Sequence, residues 1–291
     1  MISVFGSANM DLVAYTSVVP GRGETVTGRA FSTVPGGKGA NQAIAAARAG
    51  AAVAFVGAVG DDAFGPVMRD TLASAGVDVS RLRVVPGSSG IAHIVVDDEG
   101  GNSIIVIPGA NGTLTGPSEE DLAVIGRSDA LLLQLELPME AVVAAARQAS
   151  VPVVLTPAPA RDLPYELLEA VDLIVPNEHE AAAITGLTDP GAALKALLDL
   201  VPEAVITLGS KGALYGSRSG ERLRVPAVPV KAVDTTAAGD TFVGALAVAR
   251  AEGRPQEEAL RFAATAAALS VQRKGATTSM PTRPQIDAAL Q

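Results

Sequence analysis

The feature that most constrains the fold is an alternation of short apolar runs with alanine-rich segments of helical periodicity. Strand-like runs such as Ile2–Phe5, Val53–Val56 and Ala130–Leu133 are each followed by a stretch that can form a helix, as at Met139–Gln148. Apolar strands without polar alternation are typical of a sheet that is covered on both faces. Strands separated by helices indicate parallel pairing. We therefore predict an α/β fold with a mostly parallel central sheet between helices.

Two intervals, about residues 12–35 and 81–108, interrupt this alternation. They are strand-like, rich in turn residues and without helical periodicity, and the second contains DDEGGN at 97–102, which is typical of a hairpin turn. We expect them to form a small β-sheet inserted in a single domain that spans residues 1–291. Such a sheet can be a decoration, a dimer surface or a lid. The glycine-rich polar segments that border both intervals favour a lid.

Composition excludes several classes of function. The chain of 291 residues has no cysteine, which excludes disulfides and thiolate metal sites and suits the cytoplasm, where we expect the protein to act. No apolar stretch approaches the roughly 18 residues of a membrane span, and we expect no signal peptide. The formal net charge of −9, with scattered Lys and Arg, argues against a nucleic-acid partner. With only 2 histidines, a histidine metal site is not expected.

The strongest chemical signal is AVDTTAAGDTFVGA at Ala232–Ala245. A strand-like lead ends at Asp234, small residues follow, and an apolar helix is predicted from Phe242 onward. The small residues Ala237, Ala238 and Gly239 allow successive backbone N–H groups to face one anion. Asp240, at the mouth of that site, can accept a proton from an attacking hydroxyl. The alternative is that Asp240 only caps the helix, and the surrounding TTAAGDTF makes this alternative less favoured.

A second segment, VPGGKGANQA at Val34–Ala43, leads from a glycine cluster directly into a predicted helix. Glycines allow a ligand to approach the backbone, and Asn41 offers a donor and an acceptor to sugar hydroxyls. The segment is not a Walker A loop, because Gly39 follows Lys38 where Ser or Thr would be required. A flexible turn with a helix cap is the alternative.

Polar residues also follow predicted strands. GSANMD at Gly6–Asp11 comes after the first strand, where side chains of an open α/β sheet face the ligand crevice, and Asp11 can bind two vicinal hydroxyls. The segment lacks GxGxxG, which excludes a nicotinamide dehydrogenase. Glu136 follows another strand and is expected to contact either substrate or polar groups of the core.

Two further segments concern phosphates. In PNEHE, Asn177 and Glu180 are three residues apart on one helical face, which suits Mg²⁺ held through water, although a solvated helix start is the simpler interpretation. In ITLGSKG, Thr207 and Gly209 are candidates to border a nucleotide. Lys211 either reaches a phosphate or faces water.

Together these segments resemble the ribokinase family of sugar and nucleoside kinases, also called PfkB-type kinases. GGKGANQA at Gly36–Ala43 is similar to the N-terminal signature of the family, and DTTAAGDTF at Asp234–Phe242 to the C-terminal one. The resemblance extends from Ile2 to about Ile286. It implies a three-layer αβα sandwich with a β-sheet lid that often mediates homodimers. It also implies transfer of the ATP γ-phosphoryl group to the 5-hydroxyl of a sugar, with D-ribose as the expected acceptor.

The resemblance also implies a role for each site residue. Asp240 would be the general base, and the N–H groups of Ala237, Ala238 and Gly239 would form the anion hole. The residues implied for sugar binding are Asn9, Asp11, Gly36, Gly37, Lys38, Asn41, Glu136 and Asp240. Those implied for ATP are Asn177, Thr207, Gly209, Lys211, Gly212 and Gly239, with Glu180 ordering Mg²⁺ through water. Those implied for a K⁺ ion, several through backbone carbonyls, are Asp234, Thr236, Ser270, Arg273, Gly275 and Ser279.

The chain departs from the family at two positions, and alternatives stay open. Ala264 stands where the family often has His or Asn beside adenine, which weakens the preference for ATP over GTP, and Thr156 stands where Asn is frequent. A nucleoside kinase would need aromatic or apolar pocket walls, and only 3% of residues are aromatic. Deoxyribose and fructose kinases are harder to exclude. A catalytically silent sensor or scaffold is disfavoured by the intact Asp240 and anion hole.

Overall fold

A ten-stranded sheet forms the centre of the computed structural model, which describes residues 1–290. The strands in chain order are β1 Ile2–Phe5, β2 Asn9–Tyr15, β3 Ala30–Gly36, β4 Val53–Gly60, β5 Val77–Asp78, β6 Leu82–Val85, β7 Gly90–Val96, β8 Asn102–Ile107, β9 Ala130–Leu133, β10 Val153–Leu155, β11 Leu173–Ile174, β12 Glu203–Thr207, β13 Ala213–Ser217 and β14 Arg222–Val225. The helices are α1 Lys38–Arg48, α2 Phe64–Ser74, α3 Glu119–Ile125, α4 Met139–Gln148, α5 Tyr165–Leu168, α6 Glu178–Thr185, α7 Pro190–Leu200, α8 Ala238–Ala251, α9 Gln256–Ser270 and α10 Arg283–Ala289.

The central sheet is mostly parallel. Its order is β14-β13-β12-β11-β10-β9-β1-β4-β5, and β6 also pairs with β4. All pairings from β12 to β5 are parallel, whereas β13 and β14 form an antiparallel edge. No helix within residues 1–290 is long and apolar enough to cross a bilayer.

Each face of the sheet buries its own hydrophobic core. In β9, Leu132 packs into a core shared with α1, α8 and α9, while Leu131 and Leu133 pack into a second core shared with α4 and α7. Strand side chains are therefore buried on both faces, which is why the strands lack polar alternation. The predicted α/β architecture, with helices on both sides of a mostly parallel sheet, is confirmed.

A separate four-stranded sheet has the order β3-β2-β7-β8. Its strands differ from the predicted intervals: β2 begins at Asn9, residues 16–29 contain no strand, and Leu82–Val85 pairs with β4 of the central sheet. Leu82 is buried in the core that contains α1, and this burial explains its place in the central sheet. The hairpin between β7 and β8 is closed by Asp97, whose carboxylate accepts hydrogen bonds from the N–H groups of Glu99 and Gly101.

The small sheet leads directly into α1 through two glycines. Gly36 ends β3, and Gly37 precedes the helix with φ of 92°. A Cβ at Gly37 would lie 2.7 Å from the backbone nitrogen of Asn9 and 3.0 Å from the carbonyl oxygen of Ser7. The close approach of these backbones brings the start of β2 beside the start of α1.

Candidate active site

A cleft of about 180 Å³ opens at the carboxyl ends of the parallel strands. Thr156, Asn177 and Thr207 lie at or just beyond the ends of β10, β11 and β12, which are neighbours in the sheet. The start of α8 and Lys38 at the start of α1 form the opposite side. This is the position where open α/β sheets bind ligands.

Asp240 lies in the first turn of α8, which begins at Ala238 and not at Phe242 as predicted. Small residues carry no apolar periodicity, so periodicity could not locate the first four residues of the helix, Ala238 to Thr241. Asp240 does not cap the helix: Asn41 Nδ2 donates to its Oδ2, and Gln42 Nε2 donates to its Oδ1, each at 3.1 Å. The interpretation of Asp240 as a simple helix cap is therefore wrong.

Free backbone donors precede Asp240. Ala237 has φ of 57° and ψ of 17°, a left-handed conformation that costs an alanine about 1 kcal/mol. Within residues 1–290, the N–H groups of Ala237 and Gly239 donate to no protein acceptor. The N–H of Ala238, predicted to share the anion hole, instead donates to the carbonyl of Thr235 at 3.2 Å. Two of the three predicted donors are thus available at the positive end of the helix.

The charges near Asp240 suit a base. Burial raises the pKa of Asp240 to about 6, although the Lys38 ammonium and the amides of Asn41 and Gln42 oppose this rise. Asp240 is therefore ionised at neutral pH. Burial by itself would lower the pKa of Lys38, but the nearby carboxylates of Asp240, Glu136, Glu180 and Asp11 raise it overall. Lys38 stays positively charged between acidic groups.

Asp11, Glu136 and Asn9 form a second polar group beside Lys38. Glu136 Oε2 accepts hydrogen bonds from Ser7 Oγ at 2.5 Å, the Lys38 backbone N–H at 2.9 Å and Asn9 Nδ2 at 3.3 Å. Burial, followed by repulsion from Glu136, raises the pKa of Asp11 to about 7. The structure brings these residues from β2, α1 and the end of β9 to one place.

Gly36 is required by the Asp11 carboxylate. A Cβ at Gly36 would lie 2.5 Å from Asp11 Oδ2 and 2.9 Å from its Cγ. Any side chain there would displace the carboxylate that the sequence assigns to the sugar.

Asn177 and Glu180 are both a helix cap and a lining of the cleft. Asn177 Oδ1 accepts from the Glu180 N–H at 2.8 Å, and Glu180 Oε2 accepts from the Asn177 N–H at 2.9 Å, which forms a capping box at α6. Both residues also line the cleft. Burial raises the pKa of Glu180. Its second carboxylate oxygen is not used by the capping box.

The ITLGSKG segment places its residues differently. Thr207 lines the cleft and donates its N–H to the Pro176 carbonyl at 3.0 Å. Gly209 and Gly212 have positive φ values of 54° and 95° in the turn after β12. Lys211 is exposed and forms an ion pair with Glu178 at 3.4 Å. The contact of Lys211 with a phosphate of the nucleotide stays a prediction.

The residues expected around K⁺ are only partly assembled through side chains. Asp234 accepts from Thr236 N–H at 2.9 Å, Thr236 Oγ1 at 2.6 Å and Gly275 N–H at 2.8 Å. Burial alone would raise the pKa of Asp234, but these bonds outweigh it and lower the pKa. Ser270 and Ser279 turn their hydroxyls to carbonyls of their own turns. Arg273 and Ser279 line a different hollow, next to Leu269 and Pro281.

Several residues of the site were not predicted from the sequence. Gln42 contacts Asp240 and Thr156, although it lies inside the VPGGKGANQA segment. Gln134 contacts Gln42. Asn111 donates to Asn9 Oδ1 at 2.8 Å and exchanges hydrogen bonds with the Ala8 backbone. The sequence PGAN at 108–111 could have indicated Asn111, because it places a polar residue directly after a glycine turn. Ala264 lies on α9, partly buried against the core.

Comparison with known proteins decides the family. The pfkB family carbohydrate kinase profile matches residues 1–283. The chain belongs to this family. It is a carbohydrate kinase, as the two signatures predicted.

Members of the pfkB family with known names are similar over the whole chain. A ribokinase of Bacillus subtilis is 45% identical over 295 residues, which cover 99% of each chain. A deoxyribokinase of Salmonella typhimurium is 38% identical over 302 residues, which cover 99% of this chain and 98% of the relative. The structure of Arabidopsis thaliana ribokinase complexed with ribose and ATP has a TM-score of 0.94 and 37% identity, covering 100% of this chain and 98% of the other.

Proposed function

We propose that this carbohydrate kinase transfers the γ-phosphoryl group of ATP to the 5-hydroxyl of D-ribose. The observation that carries the proposal is the position of Asp240: a buried carboxylate that follows the free backbone N–H groups of Ala237 and Gly239 at the start of α8. Similarity to ribokinases over the full length, including one solved with ribose and ATP, supports the choice of substrates.

The proposed chemistry moves one proton and one phosphoryl group. Asp240 accepts the proton of the 5-hydroxyl while the oxygen of that hydroxyl attacks the γ-phosphorus of ATP. The bond between the γ-phosphorus and ADP breaks, and ADP leaves. The N–H groups of Ala237 and Gly239 donate to the oxygens of the transferred group, where negative charge develops. Lys38 adds a positive charge on the same side of the cleft. If ATP binding turns the N–H of Ala238 away from Thr235, it becomes a third donor.

The polar residues near the cleft favour a bare sugar. We assign Asn9, Asp11, Gly36, Gly37, Lys38, Asn41 and Glu136 to the sugar hydroxyls, with Asp240. Only 3% of the residues are aromatic, which disfavours an aromatic wall for a nucleoside base. Deoxyribose differs by one hydroxyl, and a single hydrogen bond is worth only about 1 kcal/mol. It is therefore the nearest competitor, as the similarity to a deoxyribokinase also suggests.

The nucleotide is assigned to the part of the cleft near β11 and β12. Asn177 and Thr207 line it, and the backbone turn at Gly209 and Gly212 follows β12. The described residues contain no group of three or more His, Cys, Asp or Glu side chains that could bind a metal ion by themselves. A Mg²⁺ ion held mainly by phosphates and water, with Glu180 beyond the water, fits this donor set. Mg²⁺ would neutralise charge on the transferred phosphate.

A monovalent cation, K⁺ by expectation, fits beside the anion hole, where backbone carbonyls and the Asp234 carboxylate can supply oxygen ligands. Both oxygens of Asp234 already accept hydrogen bonds from Thr236 and Gly275. We assign to this site Asp234, Thr236, Ser270, Arg273, Gly275 and Ser279. A cation there would order the segment that precedes α8.

We also propose that the small sheet is a lid and the surface of a homodimer. Strand β8 exposes Ile104, Ile105, Val106 and Ile107, each to 40–64%. Apolar strand edges of this kind favour association with a second sheet. The absence of cysteine supports a cytoplasmic location.

An ADP-release assay tests the proposal. Mg-ATP and K⁺ are supplied with ribose, deoxyribose, fructose, adenosine or pseudouridine, and each is compared with a reaction without acceptor. The largest kcat/KM for ribose supports it. A larger value for a nucleoside or another sugar overturns the substrate but keeps the mechanism, and no acceptor-dependent ADP overturns the kinase itself.

A further inference from the structure

Gln42 touches the proposed base but is not among the residues assigned to sugar or ATP. Its side chain is fully buried on α1, next to Asn41. Gln42 Nε2 donates to Asp240 Oδ1 at 3.1 Å and to Thr156 Oγ1 at 3.0 Å. The amide therefore connects the base on α8 to the end of β10.

A second buried amide supports the first. Gln134 Nε2 donates to Gln42 Oε1 at 2.6 Å, and Gln134 is itself fully buried at the end of β9. The charge of Asp240 sets the direction of this chain of amides. Gln42 has to present its NH₂ group to the carboxylate, so its oxygen faces Gln134, which has to present NH₂ in turn.

The arrangement of Gln42 and Gln134 includes a contact that is unfavourable for the stability of the fold. Within residues 1–290, Gln134 Oε1 is buried without a hydrogen-bond partner. Leaving a buried amide oxygen unpaired is unfavourable. Gly6 leaves room for this amide, because a Cβ at Gly6 would collide with Gln134 Oε1. Two glutamines held in this way are better explained by what they do to Asp240.

Gln42 and Asn41 bind different oxygens of the Asp240 carboxylate, and Gln42 binds Oδ1. Asn41 Nδ2 binds Oδ2, and Asn41 is also assigned to the sugar, so its contact can change when substrate binds. Gln42 is fully buried, so a bound sugar has no access to its side chain and we expect its contact with Asp240 to persist. Of the charged groups around Asp240, Lys38 favours the ionised carboxylate, whereas Glu136 and Asp11 oppose it. The carboxylate of Glu180 raises the pKa of Lys38 and so favours its positive charge.

We infer that Gln42 is a positioning residue which, supported by Gln134, orients the Asp240 carboxylate and keeps it ionised for proton removal. The inference rests on the proposed role of Asp240 as the base. A hydrogen bond donated to a carboxylate stabilises the ionised form. Without it, the base is protonated at higher pH and Asn41 is the one amide still bound to its carboxylate.

Gln42→Met tests the inference, since methionine keeps the length of the side chain and removes both polar atoms. The measurement is kcat at saturating sugar and ATP from about pH 5 to pH 8, because the titration of Asp11 also shapes kcat/KM for the sugar. The KM for ATP is recorded at each pH. We expect the acidic limb to move up by about half to one pH unit. We also expect kcat at neutral pH to fall about tenfold and the KM for ATP to stay unchanged.

Gln134→Met separates this role from packing, because Gln134 does not touch Asp240. It should move the acidic limb in the same direction by less, and the double variant should match Gln42→Met alone. The exposed Gln148→Met is the control and should change nothing. An acidic limb that stays in place in Gln134→Met and in any folded Gln42→Met, even with a lower Tm, overturns the inference. Retained turnover in Asp240→Asn would instead overturn the base, and with it the proposed function.

Discussion

At the residue scale, the site depends on contacts between distant parts of the chain. The motif around Asp240 was enough to predict a carboxylate beside backbone donors at a helix start. It was not enough to predict the partners of that carboxylate, because Asn41 and Gln42 lie 199 and 198 residues away. Short motifs report local chemistry, whereas the amides that hold the base are supplied by the packing of α1 against α8.

The raised pKa of Asp11 predicts that its carboxylate, which is assigned to sugar binding, lowers the free energy of unfolding at high pH. A carboxyl group whose pKa is raised to about 7 holds its proton more tightly in the folded state than in the unfolded chain. Its contribution to stability is therefore lost as the pH rises from about 4 to about 7. We expect Asp11→Asn to raise the free energy of unfolding at about pH 8 by the order of 1 kcal/mol and to weaken sugar binding.

Denaturant unfolding at about pH 8 and about pH 4, without ligands, measures the effect of Asp11→Asn. The gain should be present at the higher pH and absent at the lower one. Asp162→Asn, at an exposed carboxylate, is the control and should show no such difference. A loss of stability in Asp11→Asn at the higher pH would contradict this account of the site.

At the element scale, the predicted helices and strands were accurate where apolar periodicity is strong. Strand β9 and helix α4 begin and end where the sequence predicted. The start of α8 was missed because Ala238 and Gly239 carry no periodic signal. Leu82–Val85 was assigned to the small sheet because a strand's own sequence does not identify the sheet that it joins.

The segment before α8 gives a prediction on monovalent cations. Asp234 links this segment to Gly275, so a bound cation would stabilise the loop that presents the free N–H groups. We expect replacement of Na⁺ by K⁺ to raise kcat several-fold at constant ionic strength. Asp234→Asn should reduce this ratio, and the exposed Asp162→Asn should preserve it. Equal rates in Na⁺ and K⁺ would remove the cation site from the account.

At the scale of the whole molecule, two cores pack on opposite faces of the central sheet, while the separate small sheet exposes apolar residues. The alternation of elements was sufficient to predict the first arrangement. The exposed apolar surface of β8 could not be predicted in this way, because the periodicity of one sequence does not show whether a second chain covers a strand.

The dimer proposal predicts a single disruptive substitution. Ile105, exposed to 64% on β8, would be buried against a second sheet in a homodimer. We expect Ile105→Glu to shift the mass measured by analytical ultracentrifugation from dimer to monomer, because burying an unpaired carboxylate is unfavourable. Glu99→Gln at the exposed hairpin tip is the control. A wild-type chain that is monomeric at high concentration would refute the homodimer.

The most direct test of the central claim is the turnover of Asp240→Ala with ribose, Mg-ATP and K⁺, measured beside the wild-type chain. Circular dichroism and Tm establish that the variant is folded. We expect kcat to fall at least about a hundredfold, the usual contribution of a general base. A folded variant with near-normal turnover would contradict the assignment of Asp240 and the mechanism built on it.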